Sequence, residues 1–246
     1  MKVVVKIGGS LIVEGPEIIK KLLEQFGRER DEGRSGRSPE ECDRISGERA
    51  APEGCDNMSE KKAAGKEEVS ILIVPGGGMF ADAVRAADEM FGIGNEAAHW
   101  MAVLSMEQYA YYLMEKSGAE GTASLEIPLG AVRVLLPYRL LKKEDPLPHS
   151  WDVTSDSIAA WVARRRGAKL VKVTDVDGVF LDGKLLNEVS AAELARLEEI
   201  CTDPALPDFL LKNRMDCVIV NGKFPERVVG ALSGKPVQGT VVKGNI

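Results

Sequence analysis

The sequence predicts an α/β protein, a three-layer αβα sandwich built on a mainly parallel central sheet. Three observations predict it. Short runs of branched aliphatic residues alternate along the chain with longer segments whose apolar residues recur at helical spacing. Several of these runs end in turns rich in glycine, hydroxyls or carboxylates, where the strands of a parallel sheet hand over to helices and where such folds bind ligands. Hydrophobic residues make up 44% of the chain and aromatic residues only 5%. That balance suits a sheet buried on both faces under helices.

The elements follow in order. Val3-Val4-Val5-Lys6-Ile7 reads as a buried strand. A helix is expected from Pro16 to Phe26, with Ile18, Ile19, Leu22, Leu23 and Phe26 on one face. Pro16 suits its first turn and Gly27 its stop. Residues 28–68 are charged, rich in glycine and serine, and nearly free of large aliphatics. They bury too little apolar surface to offset their ordering entropy and read as a flexible insertion. Cys42 and Cys55 fall within it and read as exposed, incidental thiols.

Order is expected again from Ser70-Ile71-Leu72-Ile73-Val74, a second strand, which runs through Pro75-Gly76-Gly77-Gly78 into a helix carrying Phe80, Val84 and Ala87. A further helix is expected from Asn95 to about Lys116, a strand at Val132–Leu136, a helix from Thr154 to Arg166 and a strand at Leu170–Val173. Ala191 to Ile200 reads as helix, Cys217 to Val220 as strand, and Pro225 to about Leu232 as the last helix.

The bulk numbers exclude several classes. A net charge of -6, without a basic stripe interleaved with aromatics, argues against a nucleic-acid partner. The N-terminal MKVVVKIGGSLIVEG is broken by Lys6 and the glycines, shows no cleavage pattern and is too short to span a bilayer. The expectation is a cytoplasmic protein with no membrane partner. Four cysteines without a C-x-x-C pair and two histidines suggest neither a disulfide framework nor a structural metal site.

Chemistry is expected at three strand ends. Gly8-Gly9-Ser10 and Gly76-Gly77-Gly78 let backbone N–H groups approach a phosphate without a Cβ in the way. Each glycine costs roughly 1 kcal/mol of backbone entropy, so three in a row at a strand–helix junction call for a reason beyond a tight turn. Thr174-Asp175-Val176-Asp177-Gly178 is the third. Neither G-x-x-x-x-G-K-[ST] nor G-x-G-x-x-G is present, so neither a P-loop nor a dinucleotide fold is indicated. Lys6 interrupts an apolar strand two residues before a glycine turn, and a buried, unpaired ammonium is costly. It reads as a cation aimed at phosphate oxygens. His149-Ser150-Trp151-Asp152-Val153-Thr154-Ser155-Asp156-Ser157 is dense in polar groups just before a helix. Capping by Thr154 or Ser155 explains part of it. Asp156 is a candidate to hold catalytic lysines, and His149 and Trp151 to line an acceptor pocket.

The order V-K-I-G-G-S, V-P-G-G-G, T-S-D-S, T-D-V-D-G-V, V-N-G-K-F-P-E-R-V and a terminal G-T resembles the amino acid kinase family, which includes acetylglutamate, carbamate, uridylate and isopentenyl phosphate kinases. Within it, the segments around Asp156 and Lys223 are most similar to the archaeal kinases of methanofuran biosynthesis. The resemblance implies ATP as donor, Mg²⁺ as counter-ion, a small phosphate as acceptor and a homo-oligomer. It implies one domain over 1–246, with an acceptor-binding part of about 1–150 and a nucleotide-binding part of about 151–246. By the same resemblance Lys6 neutralises the transferring phosphoryl, while Gly8, Gly9 and Ser10 bind donor phosphates. Gly76, Gly77 and Gly78 hold the acceptor, and Asp156 orients the lysines. Thr174, Asp175, Asp177 and Gly178 form the nucleotide loop. For the family's second lysine, Lys212 is the candidate and Lys223 the fallback; the stretch before Lys212 lacks the family's glycines. No residue is expected to ligate a metal. A different phosphate acceptor, or a non-catalytic oxyanion- or effector-binding module, remain the alternatives.

Overall fold

The computed structural model describes residues 1–27, 68–197 and 200–245. Residues 28–67 of the expected insertion, with Cys42 and Cys55, lie outside the described residues. In chain order the elements are β1 (Lys2–Ile7), α1 (Gly15–Phe26), β2 (Ser70–Pro75), α2 (Gly78–Phe91), α3 (Asn95–Ser117), β3 (Glu120–Thr122) and β4 (Val132–Leu135). Then come α4 (Tyr138–Glu144), α5 (Ser155–Arg166), β5 (Lys169–Thr174), β6 (Phe180–Leu181), β7 (Lys184–Leu185) and β8 (Glu188–Ser190). The chain ends with α6 (Ala191–Leu194), α7 (Leu206–Asn213), β9 (Cys217–Asn221), α8 (Pro225–Leu232) and β10 (Gly239–Lys243).

Eight strands form one sheet in the order β3-β4-β2-β1-β5-β9-β10-β8, and β6 pairs with β7 in a small hairpin. All neighbours in the large sheet are parallel except β9 and β10. The valine and isoleucine runs of β1, β2 and β5 are apolar on both sides because both sheet faces are covered. Side chains alternate between the faces. Val3, Val5 and Ile7 join Ile71, Ile73, Val171 and Val173 in a core under α1 and α8. Val4, Leu72 and Leu170 join Ile158, Val162 and Leu210 in the opposite core, under α5 and α7. The first half of α3 supplies Trp100, Val103 and Met106 to that second core, and its last turns supply Tyr109, Ala110 and Leu113 to the first. The sheet with two helical layers is the expected sandwich.

The chain moves from β1 outward to β2 and β4, then returns to β5 on the other side of β1. That reversal between β1 and β5 is the topological switch point, where open parallel sheets leave a crevice at the carboxyl ends of their strands. Lys6 lies on the same face as Val4 by strand alternation, and it falls at this crevice.

The helix expected over 191–200 is shorter than its pattern suggests. Ser190 and Glu193 form a reciprocal capping box that starts α6. The following bonds, Arg196 to the Glu193 carbonyl and Leu197 to the Leu194 carbonyl, tighten to three-residue turns and end it. Among the described residues no helix is long and apolar enough to cross a membrane.

Candidate active site

Four neighbouring strands deliver turns to one end of the sheet. The Gly8 N–H donates to the Val173 carbonyl at 2.9 Å, the Gly76 N–H to the Ile7 carbonyl at 2.8 Å and the Gly222 N–H to the Thr174 carbonyl at 2.8 Å. These bonds extend the sheet by one rung past the strands and bring the first two glycine turns against each other. A Cβ on Gly9 would run into the Gly78 backbone, and one on Gly76 would lie 2.7 Å from the Gly9 nitrogen. Gly78 also takes φ +52°, a conformation that favours glycine. The close approach therefore requires these glycines. The N-termini of α2 and α5 open at the same place, with partial positive charge suited to an anion.

At the floor of this crevice is a three-residue ionic cluster. Lys6 and Lys172 are register partners on β1 and β5. Lys6 Nζ lies 2.8 Å from Asp156 Oδ1, and Lys172 Nζ lies 2.7 Å from both Asp156 oxygens. All three residues are buried. Burial disfavours the Asp156 charge, but the two ammonium groups outweigh it and hold its carboxyl far below the usual carboxylate range. The lysines shift in opposite directions. Burial and the Lys172 charge lower Lys6 despite its single contact to Asp156. Lys172 is also desolvated, but it takes both oxygens of the carboxylate and is raised. Two cations and one anion leave the trio with one positive charge to meet an incoming anion.

Asp156 lies at the start of α5, in contact with both lysines. Lys212, the expected second lysine, is instead exposed on α7 and lines a surface groove with Arg164, Arg165 and Trp161. Lys223 is also exposed, and its charge acts on Asp175 rather than on Asp156. Lys172 escaped the sequence reading because it was taken as one residue of a strand. The available signal was its position, two residues before a strand-ending polar turn, as Lys6 is two before Gly8.

Beside the first glycine turn, Ser10 Oγ donates to Asp175 Oδ1 at 3.0 Å, with Thr174 Oγ1 at 3.3 Å. Burial opposes ionisation of Asp175, but these hydroxyls and Lys223 win and its pKa is lowered. Asp177 is engaged by Asn221 at 2.8 Å, Arg227 at 2.7 Å and Gln238 at 3.0 Å. It ties the loop after β5 to the turn after β9. Gly178 is buried with φ +149°, and a Cβ there would strike Thr240. These two thus shape the loop from within.

On the other side of the glycine turns, a pocket lies between α2, α3 and the start of α5. Gly77, Ala81 and Arg85 line it at four-residue steps along α2. Trp151 lines it; its indole N–H donates to Asp88 at 2.9 Å and Arg85 sits 4.6 Å over its ring. His149 stands one layer behind. Its ring stacks at 4.0 Å on His99, which faces the pocket. His149 Nδ1 meets Glu96 at 2.6 Å and Nε2 meets Asp145 at 2.8 Å. Both nitrogens therefore donate, which requires the imidazolium. Burial opposes that charge, but the two carboxylates raise the His149 pKa. Burial, reinforced by the neighbouring His149 charge, lowers His99 to about 4. A neutral imidazole thus faces the pocket.

Comparison with known proteins gives the family. The amino acid kinase family model matches residues 45–221. The chain belongs to the amino acid kinase family. It is 34% identical over 174 residues to a [5-(aminomethyl)furan-3-yl]methyl phosphate kinase of Methanocaldococcus jannaschii, covering 67% of this chain and 80% of that one. It is 33% identical over 107 residues to a uridylate kinase of Methanocella arvoryzae, covering 37% and 47%. Two solved structures share the fold. Uridylate kinase from Archaeoglobus fulgidus matches with a TM-score of 0.60 at 15% identity, covering 98% of this chain and 100% of that one. UMP kinase from Ureaplasma parvum matches with a TM-score of 0.62 at 14% identity, covering 99% and 98%. The chain is a phosphotransferase of this family.

Proposed function

We propose that this kinase moves the γ-phosphoryl group of ATP to [5-(aminomethyl)furan-3-yl]methyl phosphate, forming the diphosphate used in methanofuran biosynthesis. The carrying observation is the shared chain with the M. jannaschii kinase, 34% identical over 80% of that protein. The arrangement of the site supports it. The donor phosphates meet Gly8, Gly9 and Ser10, the acceptor phosphate meets the Gly76–Gly78 turn, and its body enters the pocket walled by Trp151 and His99. The bond from the γ-phosphorus to the ADP oxygen breaks, and one forms to an oxygen of the acceptor phosphate. That oxygen is already ionised, so no general base is needed. What the reaction needs is in-line placement and cancellation of charge on the transferring oxygens. Lys6 and Lys172 supply the cations, and Asp156 fixes both ammonium groups.

Mg²⁺ would come with the nucleotide in this reading and would supply charge screening for its phosphates. Among the described residues no group of three His, Cys, Asp or Glu side chains is arranged to hold a metal. Asp156 is already engaged by both lysines. The ion would therefore keep phosphate and water ligands, as Mg²⁺ commonly does. The reading also takes the chain to be a homo-oligomer, which sedimentation of the full chain tests.

The identity with a uridylate kinase over 107 residues favours a second acceptor class, nucleoside monophosphates. Incubation of the protein with ATP and each of the furan phosphate, isopentenyl phosphate and UMP, with product masses measured, decides between them. Fastest ADP release with the furan phosphate, and a product heavier by one phosphoryl group, is expected. Transfer to UMP alone would establish the second reading. ATP binding without transfer to any acceptor would sink both.

A further inference from the structure

Asp203 lies in the loop before α7, only 5% exposed, and among the described residues it forms no ion pair. Its carboxylate accepts five hydrogen bonds instead. Oδ2 takes the Thr154 N–H at 2.8 Å, the Thr154 hydroxyl at 2.9 Å and the Ser157 N–H at 3.0 Å. Oδ1 takes the Ser157 hydroxyl at 2.7 Å and the Leu206 N–H at 2.8 Å. One buried carboxylate thus caps the starts of α5 and α7 together. Its own backbone N–H donates to Asp156 Oδ2 at 3.1 Å.

We infer that Asp203 is a positioning residue for phosphoryl transfer, holding the Asp156 carboxylate where it can orient Lys6 and Lys172. The inference rests on the phosphoryl-transfer reading of that cluster. A helix start is ordinarily capped by its own N-cap side chain. Here Thr154 Oγ1 is 3.5 Å from the Asp156 N–H, a weak bond, and the hydroxyl donates to Asp203 instead. The start of α5 is therefore tied to a residue 46 or more positions away. Asp203 fixes the backbone on both sides of Asp156, at Thr154 and Ser157, and also one of its side-chain oxygens. Asp156 Oδ2 is shared between Lys172 and the Asp203 N–H. Loosening the segment that carries this N–H lets the carboxylate turn, and a shift of about 1 Å at such a site costs on the order of 10²-fold in rate.

A purely structural cap would move stability and leave turnover per folded molecule intact. The test is a cycle of Asp203→Asn, Lys172→Met and the double variant, read as kcat, KM and Tm with the fastest of the three acceptors named above. Asp203→Asn is expected to lower kcat about 10- to 100-fold with both KM values within about threefold. In the Lys172→Met background its effect on kcat should shrink, because Asp156 then has one ammonium group left to orient instead of two. A lower Tm with unchanged kcat, or kcat penalties that multiply, overturns the assignment. If Asp203→Asn does not fold, Ser157→Ala removes one donor alone and is expected to lower kcat with KM unmoved; unchanged kcat overturns it. Wild-type kcat in Lys172→Met overturns the reading of the whole cluster. Loss there with none in folded Asp203→Asn overturns only the role of Asp203.

Discussion

Lys6 and Lys172 face each other in register on adjacent parallel strands and share a single carboxylate, Asp156. Parallel pairing at the switch point sets the two ammonium groups at equal depth below the glycine turns. One unpaired positive charge then waits at the crevice below the glycine turns. Removing either oriented cation should cost about 10²–10³ in kcat, the scale for losing one preorganised stabilising donor. Lys6→Ala and Lys172→Ala are both expected to show this in ADP release. Lys212→Ala, on the far groove, should turn over as wild type. A large loss with Lys212→Ala and none with Lys172→Ala would reverse the assignment.

Asp156→Asn removes the anion that two buried ammonium groups share. Leaving buried charges without their partner costs about 3–5 kcal/mol. Both stability and kcat should therefore fall. Adding Lys172→Met to Asp156→Asn removes one stranded charge, and urea melts should show much of the stability returning while kcat stays low. Recovery of kcat along with stability would mean that Asp156 serves folding alone.

The difference between what was and was not legible lies in range. Strands of four or five aliphatics, the glycine turns and the helix after Thr154 announce themselves locally. So did Lys6, a charge in an apolar strand. Lys172 was concealed because only the sheet order sets it beside Lys6 and against Asp156. Asp203 sits in C-T-D-P-A-L-P, which reads as a turn. Its five partners come from 46–49 residues upstream and from α7, which only the folded chain brings together. β10 and β8 were missed for a related reason. They are short, and β10 closes antiparallel on β9 in a sheet expected to be mainly parallel.

Gly9→Ala tests the contact between the two turns. A methyl group at Gly9 meets the Gly78 backbone, which has no side chain to swing aside. Overpacking of this kind costs about 1–3 kcal/mol. The turns should also part, so kcat is expected to fall more than Tm alone explains. Gly92→Ala is a control for stability: nothing lies within 4 Å of a Cβ there, but its φ of +62° strains any side chain. It should lower Tm with little change in kcat per folded molecule. Equal losses of kcat in the two variants would show that the Gly9 contact has no special part in the site.

His149 gives the pocket wall a pH dependence of predictable sign. Its folded pKa is raised above the ordinary 6.5 by Asp145 and Glu96, against burial. The stabilisation is then fully present below 6.5 and is lost as pH rises through the folded value. His99, stacked on it, and Lys142, 4.0 Å from Glu96, are the other titratable groups at this cluster. His149→Gln should therefore lower Tm most on the acid side of neutrality, with the difference from wild type shrinking as pH rises. Because His149 backs His99, the variant should also raise KM for the acceptor and leave KM for ATP unchanged. A Tm difference that grows with pH would contradict the imidazolium, and a change in the ATP constant alone would place His99 outside the acceptor pocket.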